Sequence, residues 1–164
     1  MRTNTGTSDP VVWLLTEDGR GRHIRVKGLG DRLRVRAGAG ESDIDAAGAR
    51  PRLWRALIGV APAMDEALGR PNLIIAAGSG THRLLLSLRR LRKVKTVVLM
   101  KPGFPLNWVD AAIIPEHDKA PPARHVLATE GGINAITPLA SINDKPHGLV
   151  LVGGHYPLPL TPTR

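Results

Sequence analysis

Several features that would place a protein in a class at once are missing from this sequence. Its 164 residues include no cysteine, which excludes a disulfide framework and leaves only scattered histidines for a structural zinc site. No apolar run approaches the roughly 20 residues of a membrane-spanning helix, and the polar opening MRTNTGTSDP lacks the apolar stretch of a signal peptide. These absences predict a soluble, cytoplasmic chain with the length of one domain.

Aromatic residues are also scarce, whereas positive charge is abundant. Tryptophan, tyrosine and phenylalanine make up 3% of a chain whose net charge is +9. The charge attracts anions in general, but the basic run RRLRKVK at 89–95 contains no aromatic side chain on which a base could stack. No specific nucleic-acid partner is therefore predicted. Any affinity for DNA or for an anionic membrane is expected to be electrostatic and to weaken with salt.

Glycine-rich turns are present, but the common nucleotide-binding loops are not. Neither Gly19-x-Gly21 nor Gly78-x-Gly80 has the third glycine of the dinucleotide fingerprint. No GK[ST] phosphate loop occurs anywhere in the chain. These absences argue against the usual NAD and ATP sites, and no cofactor is predicted.

Ser79 lies in one of these turns, where a hydrolase would place its nucleophile. The elbow G-x-S-x-G needs glycine at the positions of Ala77 and Thr81, so the pattern fails at both ends. Histidines occur downstream, at 125, 147 and 155, but nothing in the sequence places any of them near Ser79. The hydroxyls of Ser79 and Thr81 are more simply explained as caps of a following helix.

Six apolar runs predict strands. They are VVWLLT (11–16), NLIIAAG (72–78), KTVVLM (95–100), DAAIIP (110–115), HVLAT (125–129) and GLVLVGG (148–154). Several are apolar on successive residues, which is typical of parallel strands covered on both faces. Helical patterns between them, near 22–33, 52–69 and 81–93, indicate an α/β fold with a doubly wound, mostly parallel, Rossmann-like sheet. The segment 36–51 is predicted to be a mobile connection and 137–147 a linker.

Glycine and polar residues follow the ends of these strands, at 17–21, 78–82 and 130–132. In open α/β sheets, ligands bind outside the carboxyl ends of the strands, where glycine lets backbone amides approach a ligand. Glycine is also what a tight strand-to-helix turn requires, so each loop taken alone is equally well explained as a turn. The three loops together favour a binding site at this edge of the sheet.

The predicted strand DAAIIP (110–115) is followed directly by three adjacent titratable residues, Glu116, His117 and Asp118. Successive residues of an extended segment point to opposite sides, so Glu116 and Asp118 could share a face from which His117 turns away. Such a triplet makes a poor metal cage, and no metal is predicted. It is either an acid–base group or a polar turn at a strand end.

Several blocks of the sequence resemble a known family in their order and spacing. KTVVLMKPGFPLNWVDAAIIPEHD (95–118), HVLATEGGINAITP (125–138) and GLVLVGG (148–154) are similar to the Elm-type mitochondrial fission family. LIIAAGSGTHR (73–83) and VWLLTEDGRGRHIRVKGLGDRL (12–33) extend the resemblance more weakly. Bacterial members of that family are similar to glycosyltransferases of the two-Rossmann-domain (GT-B) type, and some are labelled nucleoside-diphosphate-sugar epimerases.

The resemblance implies which residues face a substrate. Glu116, His117 and His82 become the candidate catalytic residues. The candidates for substrate binding are Glu17, Asp18, Gly19, Gly21, Gly78, Ser79, Gly80, Thr81, Lys101, Thr129, Gly131 and Asn134. Arg25 departs from the family pattern, which has a glutamine at this place in the first helix, so the ligand contact of that helix is not carried over.

The resemblance also implies a division of the chain and a function. Residues 1–136 would form an N-terminal Rossmann-like domain, 137–147 a linker and 148–164 a stub of a second domain. The stub is expected to be truncated, because the chain stops ten residues after GLVLVGG and prolines at 157, 159 and 162 disfavour a following helix. The first domain would be the acceptor-side half of a nucleotide-sugar-dependent transferase, inactive alone. The alternative is a noncatalytic module that binds a partner protein or an anionic membrane surface, peripheral to that membrane.

Overall fold

The computed structural model describes residues 9–17 and 20–135 of the chain. The first seven α-helices and strands of this part alternate along the sequence, whereas loops with short 3-10 turns connect the last three strands. In chain order they are β1 (Val11–Thr16), α1 (Arg20–Ala37), β2 (Gly40–Asp45), α2 (Leu53–Ile58), β3 (Leu73–Ala77), α3 (His82–Leu88), β4 (Lys95–Leu99), β5 (Ala111–Pro115) and β6 (Val126–Thr129). The predicted strand at 148–154, the linker and the stub of a second domain lie outside the described residues.

The strands form one sheet in the order β2-β1-β3-β4-β5-β6, and every neighbouring pair runs parallel. The prediction of an α/β, Rossmann-like parallel sheet is therefore confirmed. From β1 the chain moves to β2 on one side and then crosses back to β3 on the other. The winding direction thus reverses between β1 and β3, and such a reversal leaves a crevice at the carboxyl ends of the two strands.

Both faces of the four central strands are largely buried, and alternate residues of each strand belong to different layers. On one face Trp13, Leu15 and Ile74 pack with three buried leucines of α3. On the other face Leu14 and Ile75 pack with α1. Runs that are apolar at every position are needed to fill two such layers, which is why β1 and β3 were recognisable in the sequence.

One strand was not predicted. The segment 36–51 was expected to be a mobile connection, but Gly40–Asp45 within it forms β2 at the edge of the sheet. Its sequence, GESDID, contains one buried apolar residue, Ile44. All six residues of the strand pair with β1. Backbone pairing does not require apolar side chains, so the sequence has no apolar run that would predict this strand.

Two helices are shorter than their patterns indicated. The predicted helix at 52–69 is reduced to α2, because Gly59 ends it in a left-handed conformation with φ of 70°. The predicted helix at 81–93 ends with Leu88, so the basic run at 89–95 begins at the C-cap, Arg89, and continues through turns to the start of β4. By contrast α1, predicted at 22–33, extends to Ala37.

Two glycines let α1 approach its neighbours closely. A Cβ atom at Gly30 would lie 2.7 Å from Cδ1 of Leu14, and one at Gly28 would lie 2.6 Å from the backbone carbonyl of Asn134. Any larger residue would force these groups apart. The loop that follows β6 therefore rests directly on the helix backbone. Among the described residues, none of the helices has the length and apolar character needed to cross a bilayer.

Candidate functional site

The candidate site lies at the carboxyl ends of β1 and β3, where the winding of the sheet reverses. Glu17 directly follows β1, and the turn from Gly78 to Thr81 directly follows β3. The Glu17 carboxylate accepts a hydrogen bond of 3.2 Å from the backbone N–H of Gly80. It occupies the space that a side chain at position 80 would need. Tertiary structure thus joins two predicted site residues that are 63 positions apart in the sequence.

The turn after β3 depends on its first glycine and on a threonine. Gly78 has a φ of 92°, which favours glycine, and its carbonyl accepts a 2.7 Å hydrogen bond from the hydroxyl of Thr81. Thr81 is fully buried, whereas Ser79 is exposed. The expectation that these hydroxyls cap the following helix is wrong, since no side chain caps α3 and the Thr81 hydroxyl closes the turn that precedes it.

His82 begins α3 and is half-buried beside this turn. Burial lowers the pKa of the imidazole below its ordinary value of 6.5, and the negative charge of Glu17 opposes this shift only in part. The ring is therefore neutral at pH 7. A neutral imidazole with a carboxylate nearby can accept a proton, and the carboxylate then stabilises the imidazolium that forms.

Replacing Glu17 by glutamine is expected to lower the pKa of His82 further, because the opposing negative charge is removed while burial remains. An NMR titration of the imidazole ring protons measures the change. Glu41→Gln is the matched control, since Glu41 lies in the first half of β2, away from the carboxyl edge. An unchanged or raised pKa in Glu17→Gln would show that the two groups are not electrostatically coupled.

An aromatic row that the sequence did not predict extends from His82. The ring of His82 meets Phe104 edge-on, with centroids 5.0 Å apart, and Phe104 stacks on Trp108 at 6.4 Å. The guanidinium of Arg89 lies 4.8 Å above Trp108 and donates hydrogen bonds to the carbonyls of two residues in α2. The sequence carried one signal for this row, the placement of two of its few aromatic residues in the short loop KPGFPLNW.

Glu116, His117 and Asp118 form a 3-10 turn immediately after β5. The side chains of Glu116 and His117 are exposed, and His117 Nε2 lies 3.7 Å from Asp118 Oδ1. They are at the same edge of the sheet as His82. The intervening strand β4 separates them from β3, a distance of about 10 Å across two strand spacings. The triplet is thus a polar strand-end turn on the flank of the crevice.

The remaining predicted residues lie along the same edge or outside the described part. Lys101 is exposed just after β4. Thr129 and Asn134 bond within their own loop, the hydroxyl to the Gly131 carbonyl at 2.7 Å and the amide to the Gly132 carbonyl at 3.4 Å. Gly21 lies in the first turn of α1. Asp18 and Gly19 fall outside the described residues.

The polar groups at this edge of the sheet can accept protons and attract anions. Across residues 9–17 and 20–135, the acidic and histidine side chains form no group of three or more that could hold a metal ion. The edge instead offers a neutral imidazole beside a carboxylate, an exposed lysine and backbone amides in glycine turns. These groups suit a reaction in which a hydroxyl loses a proton and an anionic group departs.

Comparison with known proteins gives one match. The family model for mitochondrial fission ELM1 covers residues 11–157, a range that includes the six strands described above and every predicted site residue. No curated protein and no solved structure matches the chain.

Proposed function

The chain belongs to the mitochondrial fission ELM1 family, and on that premise we propose that it supplies the acceptor side of a transferase that uses a nucleotide sugar. The observation that carries the proposal is the position of His82 and Glu17 at the reversal point of a parallel sheet, where ligands of such sheets bind. The donor nucleotide is proposed to bind mainly to a second domain that faces this edge.

In the proposed reaction, an acceptor hydroxyl oxygen bonds to the anomeric carbon of the sugar. The bond from that carbon to the diphosphate oxygen breaks, and its electron pair leaves with the diphosphate. His82 takes the hydroxyl proton, and Glu17 stabilises the resulting imidazolium. Phe104 packs against the imidazole in a T-shaped contact, with ring centroids 5.0 Å apart. The acceptor would approach from the open carboxyl edge of the sheet.

The other residues of the edge take supporting roles in this proposal. Lys101 is exposed next to the end of β4, where its charge would attract the departing diphosphate. Glu116 and His117 stand on the flank of the crevice and would contact the substrate once a second domain closes over them. Thr129 and Asn134 lie in the loop after β6, farther along the same edge.

The proposal is tested by comparing two proteins for donor binding and sugar release, the 164-residue chain and a version extended by the second domain of a close relative. We expect weak or no donor binding and no turnover by the 164-residue chain, because catalysis requires donor and acceptor to be held in one geometry in a site closed to water. The extended protein should turn over the donor.

Each alternative result has a defined meaning. Robust turnover by the 164-residue chain would contradict the acceptor-side assignment. An extended protein that binds the donor but does not turn it over would contradict the transferase proposal. It would favour the noncatalytic module instead.

A further inference from the structure

In the described part of the chain, the segment that contains α2 presents an unusual surface. Seven large apolar residues are exposed in the described part of the chain, and five of them fall between positions 53 and 60. They are Leu53, Trp54, Leu57, Ile58 and Val60. Isolated exposed apolar residues are normal on a protein surface, but a contiguous set marks an interaction site.

The apolar residues of α2 lie on one side of the helix. At 3.6 residues per turn, its four exposed apolar side chains cover about 140° of the circumference. Ala56 on the other side is fully buried, and α2 is anchored there by the hydrogen bonds from Arg89 to the Ala56 and Leu57 carbonyls. The exposed face is therefore held outward by the fold, in a fixed orientation.

Positive charge surrounds this apolar face. A groove of about 630 Å³ adjoins it and is lined by Arg50, Arg52 and Arg55 together with Trp54. The guanidinium of Arg55 lies 5.6 Å from the Trp54 ring. From position 46 to position 64 the sequence contains three arginines and no aspartate or glutamate. The three arginines of the groove thus lie next to a tryptophan and a row of aliphatic side chains.

We propose that α2 and the preceding arginine loop dock the protein on an anionic phospholipid bilayer. The arginines contact headgroup phosphates, and the apolar face of α2 enters the boundary between headgroups and acyl chains. Tryptophan prefers this boundary because its ring is apolar and its N–H remains near water. This docking is independent of the proposed transferase reaction, since none of these residues belongs to the crevice at His82.

The combination of groups selects a bilayer over a protein partner. A protein surface complementary to three arginines would supply carboxylates at fixed points, whereas a row of aliphatic side chains beside a cluster of arginines matches a fluid, uniformly anionic surface. The sequence predicts purely electrostatic binding to an anionic membrane, and the proposed docking adds an apolar contact to it. Salt should weaken the binding, but the apolar contact should give a component that salt does not remove.

The experiment measures binding of the 164-residue chain to vesicles of phosphatidylcholine alone and of phosphatidylcholine mixed with phosphatidylglycerol. We expect strong binding only to the mixed vesicles, with a blue shift of tryptophan fluorescence that Trp54→Phe abolishes. Trp54 is the reporter because Trp13 is buried and Trp108 is stacked within the fold. Replacing all three arginines by alanine should weaken binding about 100-fold, since each basic side chain near an anionic surface contributes roughly a factor of five.

The apolar contribution has a matched control on the opposite side of the sheet. Leu57→Asp should weaken binding at least about 10-fold. Val35→Asp should have little effect, although Val35 is 81% exposed and also lies between two arginines, Arg34 and Arg36. Equal effects of the two variants would overturn the assignment to α2. The assignment would also be overturned if the Leu57→Asp protein bound vesicles normally but no longer formed a dimer, or no longer bound a protein ligand, as the unaltered chain does.

Discussion

Replacing His82 by glutamine is expected to slow sugar transfer by about 10²- to 10⁴-fold in the version extended by the second domain of a close relative, the usual contribution of a positioned general base. Glutamine keeps a similar size and can still contact Phe104, so the stack of Phe104 on Trp108 should persist. The donor should bind the variant as tightly as it binds the original protein, because the proposed role of His82 concerns the acceptor proton. Donor affinity and turnover are therefore measured separately.

The pH profile distinguishes a base from a structural residue. Burial lowers the pKa of His82, so the imidazole is neutral at pH 7 and transfer should decline only when the pH falls through that lowered value. The decline should be absent from the residual activity of His82→Gln. His117→Gln serves as a comparison at the same sheet edge. If it loses more activity than His82→Gln, the base is His117 and the assignment made here is wrong.

A third variant separates the position of Glu17 from its charge. Gly80→Ala adds one methyl group in the space that the Glu17 carboxylate occupies. Alanine can adopt the backbone conformation of Gly80, because the φ of this residue is not in the positive range. The carboxylate must move away from the Gly80 N–H. If the placement of Glu17 matters to the reaction, this variant should resemble Glu17→Gln in turnover. Activity equal to that of the original protein would exclude Glu17 from a positional role.

Replacing Asp110 by alanine is expected to lower the free energy of unfolding by about 2–3 kcal/mol, the second large effect. Oδ2 of Asp110 accepts hydrogen bonds from the Thr96 backbone N–H at 2.9 Å and from its hydroxyl at 3.0 Å. Thr96 is only 1% exposed, so both donors would be left without a partner and away from water. Chemical denaturation of the two proteins measures the loss.

The pH dependence of this effect has a defined sign. Burial raises the pKa of Asp110, but the bonds from Lys95 and Thr96 together outweigh burial and lower the pKa below its ordinary value of 3.8. A carboxyl whose pKa is lower in the folded chain stabilises the fold above the unfolded value. That contribution disappears as the pH falls below about 3.8. The difference between the two proteins should therefore be largest near neutral pH and shrink in acid.

Lys95→Met is the matched control for Asp110→Ala. It removes the 2.7 Å contact between Lys95 Nζ and Asp110 Oδ1 but leaves the bonds to Thr96 intact. Both charges of the pair are partly exposed to water, so the control should cost less than about 1 kcal/mol. If Lys95→Met is as damaging as Asp110→Ala, the ion pair and not the buried hydrogen bonds stabilises this corner of the sheet.

Strand prediction succeeded where burial imposes a pattern. The strands β1, β3, β4 and β5 each contain apolar residues for two buried layers, and that requirement is visible in the sequence. The edge strand β2 escaped detection because backbone pairing with β1 can be satisfied by almost any residues, including GESDID. The short extent of α2 was missed for a similar reason. Gly59 ends the helix in a left-handed conformation, although the apolar spacing continues beyond it.

The sequence by itself determined the family, the parallel α/β fold and the edge of the sheet at which polar residues gather, because each depends on local order along the chain. Only the tertiary structure decided which of those residues meet. Strand order brings Glu17 to Gly80 and places His82 beside both, while β4 keeps the Glu116 turn apart. The stack of Phe104 and Trp108 between His82 and Arg89 and the outward apolar face of α2 likewise depend on packing between distant segments. Contacts of this kind leave no spacing rule in the sequence, since the chain between the partners can vary in length without changing the contact.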